Sequence, residues 1–579
     1  MKYLFLFSIT PVQEFIKQAR KTQDLYAGSF ILSHLCRTAA KKAEQDYKAR
    51  IVFPVLTNKA IINRFLAVVN DSDTSKNLDM GRQIEHSVRK EFWQMAETIF
   101  NDMKISEPPG FREQLDKQIN NYWHCYWVFE EFPNNQFAQS YKKIEQSFGA
   151  IKNTKIFKQL EQEPARKCSI TGEHNVLFYR TGQKKNFVPN FAAPVSQKIP
   201  LKLLDSKEKL GGITFVKRCA EKYFEPSSYI ADFPSTADIA LMATLEDFRG
   251  EIPKTGVNSA ALLDRSNGKP MPEGLDGETK ENTNKAFGVL RTNKVKLTPY
   301  YALVLFDGDN MGRWLAGDFI NEKANLEDFQ NHLSSQLGQF SNLAQKEIVT
   351  PPIGKTVYAG GDDFLGFINT THLFETLKEL CNEFTQINLG EFTSFKPTFS
   401  AGIVVAHWKS PLEEVLGWAR RMEKEAKNID GDKNAFALAI LKRSGEIHKA
   451  IYKWLYDDNW TLDILKDLIA RIKETVNNPP GQEFSSNFIK TLNQEFQKIM
   501  DDDGNLFHEG LIKSEIKRLL QRSYLPGKKP GETSQEFKLR KELAVQNLLV
   551  TLKTLYKCNI NLQSFLSTLN IADFLAREA

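Results

Sequence analysis

The N-terminal part of the chain alternates between short apolar runs and amphipathic stretches. Residues 3–9 form an almost uninterrupted apolar run, which predicts a buried strand. Thr10-Pro11-Val12-Gln13 then carries a helix-start pattern, a hydroxyl cap followed by proline at the first helical position. We expect this helix to end near Gly28, a second helix over about 29–47 and a strand over 50–55. A helical insertion is predicted for about 74–157, so that residues 1–165 form a first domain.

The middle of the chain has weaker periodicity. Turn-forming residues cluster around Cys168-Ser-Ile-Thr-Gly-Glu-His174, and residues 203–248 are predicted to be mostly helical. Residues 250–284 are rich in glycine, proline, asparagine and charge, with almost no apolar periodicity, which is typical of a mobile linker. We therefore assign residues 166–290 to a turn-rich and helical domain that includes this linker.

Regular alternation of strands and helices returns at Tyr300 and continues to about residue 443, which predicts a third domain over residues 291–445. From residue 446 to the end we expect a helical domain, 446–579. Its first helix is marked by an apolar stripe of Leu462, Leu465, Leu468, Ile469, Ile472 and Val476. The whole pattern indicates a multidomain α+β protein.

Composition narrows the class of protein. Hydrophobic residues make up 41% of the chain and charged residues 26%, which is typical of a folded protein. The net charge of +6 permits nucleic-acid binding without requiring it. No segment approaches the ~18 uninterrupted apolar residues that span a bilayer, and the apolar start lacks a cleavage site. We expect a cytoplasmic protein with no membrane partner. Six cysteines stand singly without a CxxC pair, so neither a disulfide framework nor an intact zinc knuckle is indicated.

The most informative pattern is an apolar run, residues 301–306, that ends abruptly in Asp307-Gly-Asp-Asn-Met-Gly312. Carboxylates at the end of a buried strand are costly unless a cation or hydrogen bonds compensate them. Gly308 allows close backbone approach and offers its carbonyl to a metal. Asp309 and Asn310 are further candidates for contact with a nucleotide. A lone Asp-Gly-Asp is otherwise typical of a solvated turn.

A second motif, Gly360-Gly361-Asp362-Asp363, stands between two β-type runs within residues 357–367. It predicts a hairpin with a positive φ at its tip, which presents two adjacent carboxylates. Together with Asp307 they form a hard-oxygen cluster suited to two Mg²⁺ or Mn²⁺ ions, with ATP as the substrate. Alone, this motif too is typical of a solvated turn, but the two together favour a metal-dependent nucleotide site.

Two further features are compatible with a nucleotide pocket. Ser400 and Gly402, in the predicted strand 397–406, leave room for a base or sugar, although tight strand packing explains them equally well. Lys433, in the turn after the next helix, is placed to reach a triphosphate, although most lysines are simply exposed.

These residues resemble a known family. Ser8-Ile-Thr-Pro-Val-Gln-Glu-Phe-Ile16, Ala19-Arg-Lys-Thr-Gln-Asp-Leu-Tyr-Ala-Gly-Ser29, Phe233-Pro-Ser-Thr-Ala-Asp-Ile-Ala240 and the two aspartate motifs occur in the same order in the large subunit of type III-B (Cmr) CRISPR effector complexes. The resemblance implies two ferredoxin-like palm domains, of which only the second is catalytic, with Asp307, Asp362 and Asp363 as metal residues. It implies an antiviral ribonucleoprotein in which target RNA, paired with guide RNA, switches on synthesis of cyclic oligoadenylate from ATP. Some members instead couple ATP to S-adenosylmethionine.

The chain departs from this family at two places. Many members begin with an HD nuclease domain, but no His-Asp dipeptide occurs here, so we expect no such nuclease activity. The family often has a cysteine-based zinc site, of which Cys168, His174 and Cys219 remain with Thr171, Gly211 and Gly212 at other expected positions. Structural zinc usually needs four nitrogen or sulfur ligands, so zinc is not expected.

Alternatives stay open. The same motifs serve a free-standing GGDEF-like cyclase or polymerase, and a non-catalytic scaffold would also bind nucleotide. Basic residues of the first helices either contact guide RNA or neighbouring Cmr subunits or form a solvated helix face. They are Lys17, Arg20, Lys21, Arg37, Lys41 and Lys42.

Overall fold

The computed structural model describes residues 2–58, 60–70, 74–133, 136–154, 164–182, 188–272, 274–477, 486–498, 500–501, 510–523, 528 and 530–578. Two α/β sheets carry most of the core, and helices flank them. None of the helices within these ranges is both long and apolar enough to cross a membrane.

The first sheet is antiparallel, in the order β2-β3-β1-β4. Its strands are β1 (Lys2–Thr10), β2 (Arg50–Phe53), β3 (Arg64–Val69) and β4 (His124–Phe132). The accompanying helices are α1 (Gln13–Lys17), α2 (Thr22–Tyr47), α3 (Thr74–Asp102), α4 (Phe111–Ile119) and α5 (Phe137–Asn153). β1 is the central strand, and its apolar run is fully buried because both faces of the sheet are covered.

A small middle region follows. Its strands are β5 (Phe178–Arg180), β6 (Ala193–Val195) and β7 (Lys209–Leu210), and its helices are α6 (Gly212–Arg218), α7 (Thr236–Asp247), α8 (Ser259–Ser266) and α9 (Gly277–Thr292), with a 3₁₀ turn at Ala220–Lys222. The three strands form one sheet in the order β6-β5-β7. α7 begins with a capping box between Ser235 and Asp238, inside the family-like segment Phe233–Ala240.

The second large sheet has the order β13-β12-β11-β8-β10-β9. Its strands are β8 (Tyr300–Gly308), β9 (Gly354–Gly360), β10 (Asp363–Asn369), β11 (Phe399–His407), β12 (Ala435–Leu441) and β13 (Ile447–Lys453). Its helices are α10 (Met311–Leu315), α11 (Leu326–Leu343), α12 (Leu373–Thr385) and α13 (Leu412–Lys427), with 3₁₀ turns at Lys323–Asn325, Thr370–His372 and Gly390–Phe392 and a π-helical turn at Ala344–Ile348. The part β9-β10-β8-β11 repeats the order and the antiparallel pairing of the first sheet. The expected α+β class with two ferredoxin-like palms is therefore confirmed.

The C-terminal part begins with a short hairpin of β14 (Leu455–Tyr456) and β15 (Asn459–Trp460). Its helices are α14 (Thr461–Asn477), α15 (Ser486–Gln497), α16 (Gly510–Ser523), α17 (Ser534–Lys557) and α18 (Leu562–Glu578). α14 packs on α18, and α18 packs on β13, so this bundle covers one face of the second palm.

Alternation along β8 decides which way the candidate site faces. Ala302, Val304 and Phe306 pack in the core shared with α11, α12 and the C-terminal helices, whereas Tyr301 and Leu303 pack in the core shared with α2 of the first palm and with α13. Successive strand residues point to opposite faces of a sheet. Asp307 continues the second series, so its side chain faces the first palm.

Four local predictions are wrong. The helix expected to end at Gly28 is only the short α1, and Gly28 lies inside α2, where an added Cβ would lie 2.9 Å from Cε of the buried Lys217. The helical insertion contains β4, which pairs with β1 over its whole length. The C-terminal domain expected from residue 446 begins with β13, a strand of the second palm.

The fourth wrong prediction is the mobile linker expected over residues 250–284. All of α8 and part of α9 lie in it, and their residues Leu262, Leu263 and Ala286 are fully buried in a small core with Leu241 of α7. The apolar periodicity of these helices is weak, because most of their residues are polar or charged and α8 and α9 bury only four and three residues.

A buried ion cluster joins the first palm to the middle region. The Arg218 guanidinium donates to Asp24 at 2.8 Å and to Glu208 at 2.9 Å, and all three side chains are almost fully buried. Burial alone would raise the pKa of Asp24, but the Arg218 charge and its hydrogen bonds lower that pKa below its usual value. The cluster therefore ties α2 to α6.

Arg218→Met should lower the free energy of unfolding of this region by about 3–5 kcal/mol at neutral pH, since two carboxylates lose their buried partner. The loss should shrink as the pH falls through the lowered pKa of Asp24, because the wild-type pair is then lost as well. Urea unfolding followed by tryptophan fluorescence measures both. Arg249→Met, which breaks the exposed pair with Glu246, should cost less than about 1 kcal/mol. Equal losses in the two variants would contradict a stabilising role of the buried cluster.

Candidate functional site

The two aspartate motifs meet at one edge of the second palm. β8 ends at Gly308, and β10 begins at Asp363 beside it, with Phe306 paired to Phe364. Gly308 N–H donates to the main-chain oxygen of Asp362 at 3.2 Å, which ties the hairpin tip to the end of β8. An added Cβ at Gly308 would lie 2.8 Å from Cβ of Asp362, so only glycine permits this approach.

The hairpin has the predicted form. Gly361 has φ +65°, the left-handed conformation expected at the tip. Gly360 ends β9, and an added Cβ there would meet the Tyr358 hydroxyl at 2.5 Å. Gln345 donates to the Ala359 carbonyl oxygen at 2.9 Å, which supports the hairpin from the π-helical turn. The tip that presents Asp362 and Asp363 is therefore held in place from both sides.

Asp307, Asp362 and Asp363 form one crowded group. Loss of water around the carboxyl groups raises the pKa of Asp362, and the charge of Asp307 and a hydrogen bond to it raise it further. The pKa of Asp363 is raised well above its usual value by the same desolvation and by the charges of Asp362 and Asp307. Asp363 keeps an exposed surface, so we attribute its shift to crowding of like charges more than to complete burial.

Lys427 supplies the cation of this group. Its ammonium forms an ion pair with Asp307 and another, at 2.6 Å, with Glu423 one turn earlier on α13. Burial would lower the pKa of Lys427, but Asp307 and Glu423 together raise it. The lysine that reaches the carboxylates is thus Lys427 and not Lys433, whose main chain is hydrogen-bonded to the side chains of Asp430 and Lys453. Sequence reasoning missed it, although its position four residues after Glu423 at the end of an amphipathic helix is a signal.

Asp309 does not join the crowded group. It is buried, and it accepts hydrogen bonds from the hydroxyls of Thr398 at 2.9 Å and Ser400 at 2.8 Å and from the Asn434 N–H at 3.0 Å. Burial raises its pKa, and these three donors oppose the shift. Asp309 therefore fixes the end of β8 to β11 and to the loop that contains Lys433. Asn310 has φ +59° and starts α10, where its carbonyl oxygen accepts from Arg313.

The expected room for a base beside Ser400 and Gly402 is absent. Ser400 is fully buried and bonded to Asp309. A Cβ at Gly402 would lie 2.0 Å from the carbonyl oxygen of Ala419 and 2.4 Å from the N of Glu423, so α13 lies directly on β11. This part of the prediction is wrong, and tight packing accounts for both residues.

The open space lies between the two palms and not beside Ser400 and Gly402. A cavity of about 240 Å³ is bordered by Asp307 and Asp363 of the second palm and by residues of α1, α2 and the β2–β3 connection of the first. The first palm offers no carboxylate at the matching places, since neither the end of β1 nor residues 54–63 contains Asp or Glu. The chemistry is therefore concentrated on the second palm.

A cation fits the donor set, but not in the present arrangement. No three histidine, cysteine, aspartate or glutamate side chains in the described part of the chain are arranged to hold a metal ion. Asp307, Asp362 and Asp363 are hard oxygen donors, and the ammonium of Lys427 stands where a cation is needed. These three aspartates would hold Mg²⁺ or Mn²⁺ once Lys427 leaves Asp307.

The zinc-like residues lie in a different region. The Cys168 N–H donates to the His174 carbonyl oxygen at 2.8 Å, and the Cys168 thiol lies 3.5 Å from the Thr214 hydroxyl. Cys219 is fully buried on the C-terminal side of α6, and burial raises its pKa, which opposes the thiolate that zinc requires.

Two parts of the chain match known protein families. Residues 300–437 match the family described as Cas10/Cmr2, second palm domain, and residues 4–157 match CRISPR-associated protein Cmr2, N-terminal. A curated relative, CRISPR system Cmr subunit Cmr2 of Pyrococcus furiosus, is 22% identical, with 78% of this chain aligned. The chain spans 63% of the length of that relative.

Two solved structures share the fold. They are the type III-B Cmr-beta complex in its apo state and the same complex bound to cognate target RNA, both cryo-EM structures. Each aligned chain has a TM-score of 0.66, with 15% and 14% identity, over 99% and 100% of this chain and 82% and 83% of theirs.

Asp362→Asn should stabilise the metal-free protein, because it removes one of three crowded like charges. We expect the melting temperature in EDTA to rise by about 2–4 °C, and Mn²⁺ to raise it in the wild type but not in the variant. Differential scanning fluorimetry measures both. Glu379→Gln, at an exposed position of α12, should change neither quantity. A lower melting temperature of Asp362→Asn in EDTA would contradict the crowding argument.

Proposed function

The chain belongs to the Cas10/Cmr2 family, and from that premise we propose that its second palm is a metal-dependent nucleotidyltransferase that converts ATP to cyclic oligoadenylate. The observation that carries the proposal is the group of Asp307, Asp362 and Asp363 at the edge of a cavity between two palms. Such a group is costly to hold without a cation, and it borders the cavity between the two palms, where we propose that the nucleotides bind.

Each residue has a task in the proposed reaction. Asp307, Asp362 and Asp363 hold two Mg²⁺ or Mn²⁺ ions. When bound, such ions activate an attacking hydroxyl and stabilise a leaving pyrophosphate. Asp309 keeps the end of β8 in register through Thr398 and Ser400. Lys427, displaced from Asp307, binds the phosphate chain of the donor ATP as a mobile cation.

The partners follow from the same premise. We infer that the chain works within a type III-B ribonucleoprotein, with other Cmr subunits, guide RNA and target RNA. A structure of the same fold is described as bound to cognate target RNA. Target RNA is proposed to switch synthesis on, as the resemblance implies.

Three other functions share this site. Coupling of ATP to S-adenosylmethionine uses the same metal residues and differs only in the second substrate. A free-standing GGDEF-like cyclase or polymerase would need neither RNA nor partner subunits. A non-catalytic scaffold is disfavoured by the crowding at Asp362 and Asp363, because a scaffold gains nothing from three like charges held together.

Asp362→Ala combined with Asp363→Ala should abolish product formation and leave assembly with RNA intact, since the hairpin tip lies outside the core. The complex is incubated with ATP, Mg²⁺ and target RNA, and products are identified by chromatography and mass spectrometry. Glu379→Ala with Glu383→Ala, two exposed changes on α12, is the matched control and should retain synthesis. Full synthesis by the aspartate variant would refute the metal assignment, and a GTP-derived product without RNA would favour the free-standing cyclase.

Lys427→Ala should lower kcat/KM for ATP by about tenfold to hundredfold, because a charge-assisted contact to phosphate is lost. Lys433→Ala should stay within about twofold of the wild type. Initial rates over a range of ATP concentrations separate the two lysines. A large loss in Lys433→Ala together with a small one in Lys427→Ala would restore the assignment made from the sequence.

A further inference from the structure

One face of α13 runs along the cavity between the palms. Leu416, Arg420 and Glu423 line the cavity, and Lys427 continues the same face to Asp307. Spacings of four, three and four residues place these side chains in one row. Arg420 is the one lysine or arginine among the described residues that border this cavity.

Arg420 lacks the partners that a half-buried arginine normally has. Its guanidinium makes no hydrogen bond or ion pair with any residue in the described ranges, and burial lowers its pKa while Glu14 and Glu423 act on it only at longer range. Guanidinium keeps its proton in proteins and presents five donors. A desolvated charge of this kind is costly unless a ligand supplies the acceptors.

The neighbouring residue shows the contrast. Arg421 points away from the cavity, donates to Glu425 at 3.1 Å and lies over the ring of Trp418 with its guanidinium carbon 4.8 Å from the centroid. Its side chain is 57% exposed. The two adjacent arginines therefore differ. Arg421 has hydrogen-bond and ring partners within the protein, whereas Arg420 borders the cavity between the palms.

A second residue with an unpaired donor lines the same cavity from the first palm. Ser29 of α2 is 3% exposed, and its hydroxyl has no hydrogen-bond partner among the described residues. A buried hydroxyl without a partner costs free energy, so it too favours a polar ligand. The cavity therefore has carboxylates at one end and unpaired donors from both palms elsewhere.

Distance separates Arg420 from the reacting centre. Arg420 precedes Lys427 by seven positions of α helix, which corresponds to about 10 Å along the axis. A phosphate held by Lys427 beside Asp307 therefore lies nearer to Lys427 than to Arg420. The guanidinium is placed for a different anionic group, on a molecule whose reactive hydroxyl lies at the carboxylates.

We propose that Arg420, assisted by Ser29, binds an anionic group of the second substrate in the cavity between the palms. This inference rests on the proposed function and names what that site accepts: a substrate with a phosphate or a carboxylate remote from its reacting oxygen. The phosphate belongs to an acceptor nucleotide, and the carboxylate to an S-adenosylmethionine-like cosubstrate. Arg420 contacts this group directly through paired N–H donors.

Arg420→Gln and Arg420→Lys test the inference, with Arg421→Gln as the matched control one position away. Binding to the assembled complex is measured by isothermal titration calorimetry, with Ca²⁺ in place of Mg²⁺ to prevent turnover. ATP is compared with adenosine in one arm, and S-adenosylmethionine with its decarboxylated form in the other. In the arm of the true second substrate, Arg420→Gln should weaken binding of the ligand that carries the anionic group by about tenfold to hundredfold and leave binding of its counterpart without that group unchanged.

Kinetics give a second readout. KM for the second substrate should rise by the same factor in Arg420→Gln, with kcat at saturation within about threefold, and Arg420→Lys should recover part of the loss. Ser29→Ala should raise that KM by about threefold to tenfold without lowering the melting temperature. Arg421→Gln should match the wild type throughout.

The possible results separate this inference from the proposed function. If the wild type forms product and Arg420→Gln behaves as Arg421→Gln in both arms, the inference is overturned and the function stands. If no product forms but anionic ligands bind in an Arg420-dependent way, the function fails and the inference stands. If Arg420→Gln weakened binding equally for the ligands with and without the anionic group, the inference would also be overturned, since this result indicates a general distortion of the cavity.

Discussion

Repulsion among Asp307, Asp362 and Asp363 is the constraint around which the second palm is built. Three carboxylates at the ends of buried strands repel one another, and partial loss of water and their like charges raise the pKa values of Asp362 and Asp363. The backbone holds them close to one another. Gly308 and Asp362 are joined by a main-chain hydrogen bond, and the apolar strands behind them fix where β8 and the β9–β10 hairpin end.

The surrounding structure opposes this repulsion in two ways. Lys427 places one positive charge on Asp307, and its helix α13 is pressed so closely on β11 that only glycine fits at position 402. Asp309, the fourth carboxylate of the region, is removed from the group by three hydrogen bonds that turn it toward β11. The result is a group of charges that a divalent cation would relieve, with an internal cation already standing beside it.

The sequence predicted the elements that depend on neighbours along the chain. The strand before Asp307 and the Gly-Gly-Asp-Asp hairpin follow from period-two burial and from the φ that Gly361 adopts. Prediction from the sequence failed where the contacts that define an element join residues far apart along the chain. β4 looked like part of a helical insertion because its partner β1 lies more than a hundred residues earlier. β13 forms a hairpin with the neighbouring β12, but the helix that covers it, α18, lies more than a hundred residues later. Lys427 and Lys433 are equally plausible from the sequence, and only the course of α13 distinguishes them.

The two palms must be considered together, because the site is bordered by both. Ile62 of the first palm approaches the hairpin tip so closely that a Cβ on Gly361 would lie 2.8 Å from its Cγ2. The buried Arg218 cluster holds α2, and α2 in turn supplies Ser29 to the cavity. The first palm carries no carboxylate of its own at this edge, yet it closes the space in which the carboxylates act. The first palm therefore forms the opposite wall of the cavity, and any shift between the palms would change both the surroundings of the hairpin tip and the volume of the cavity.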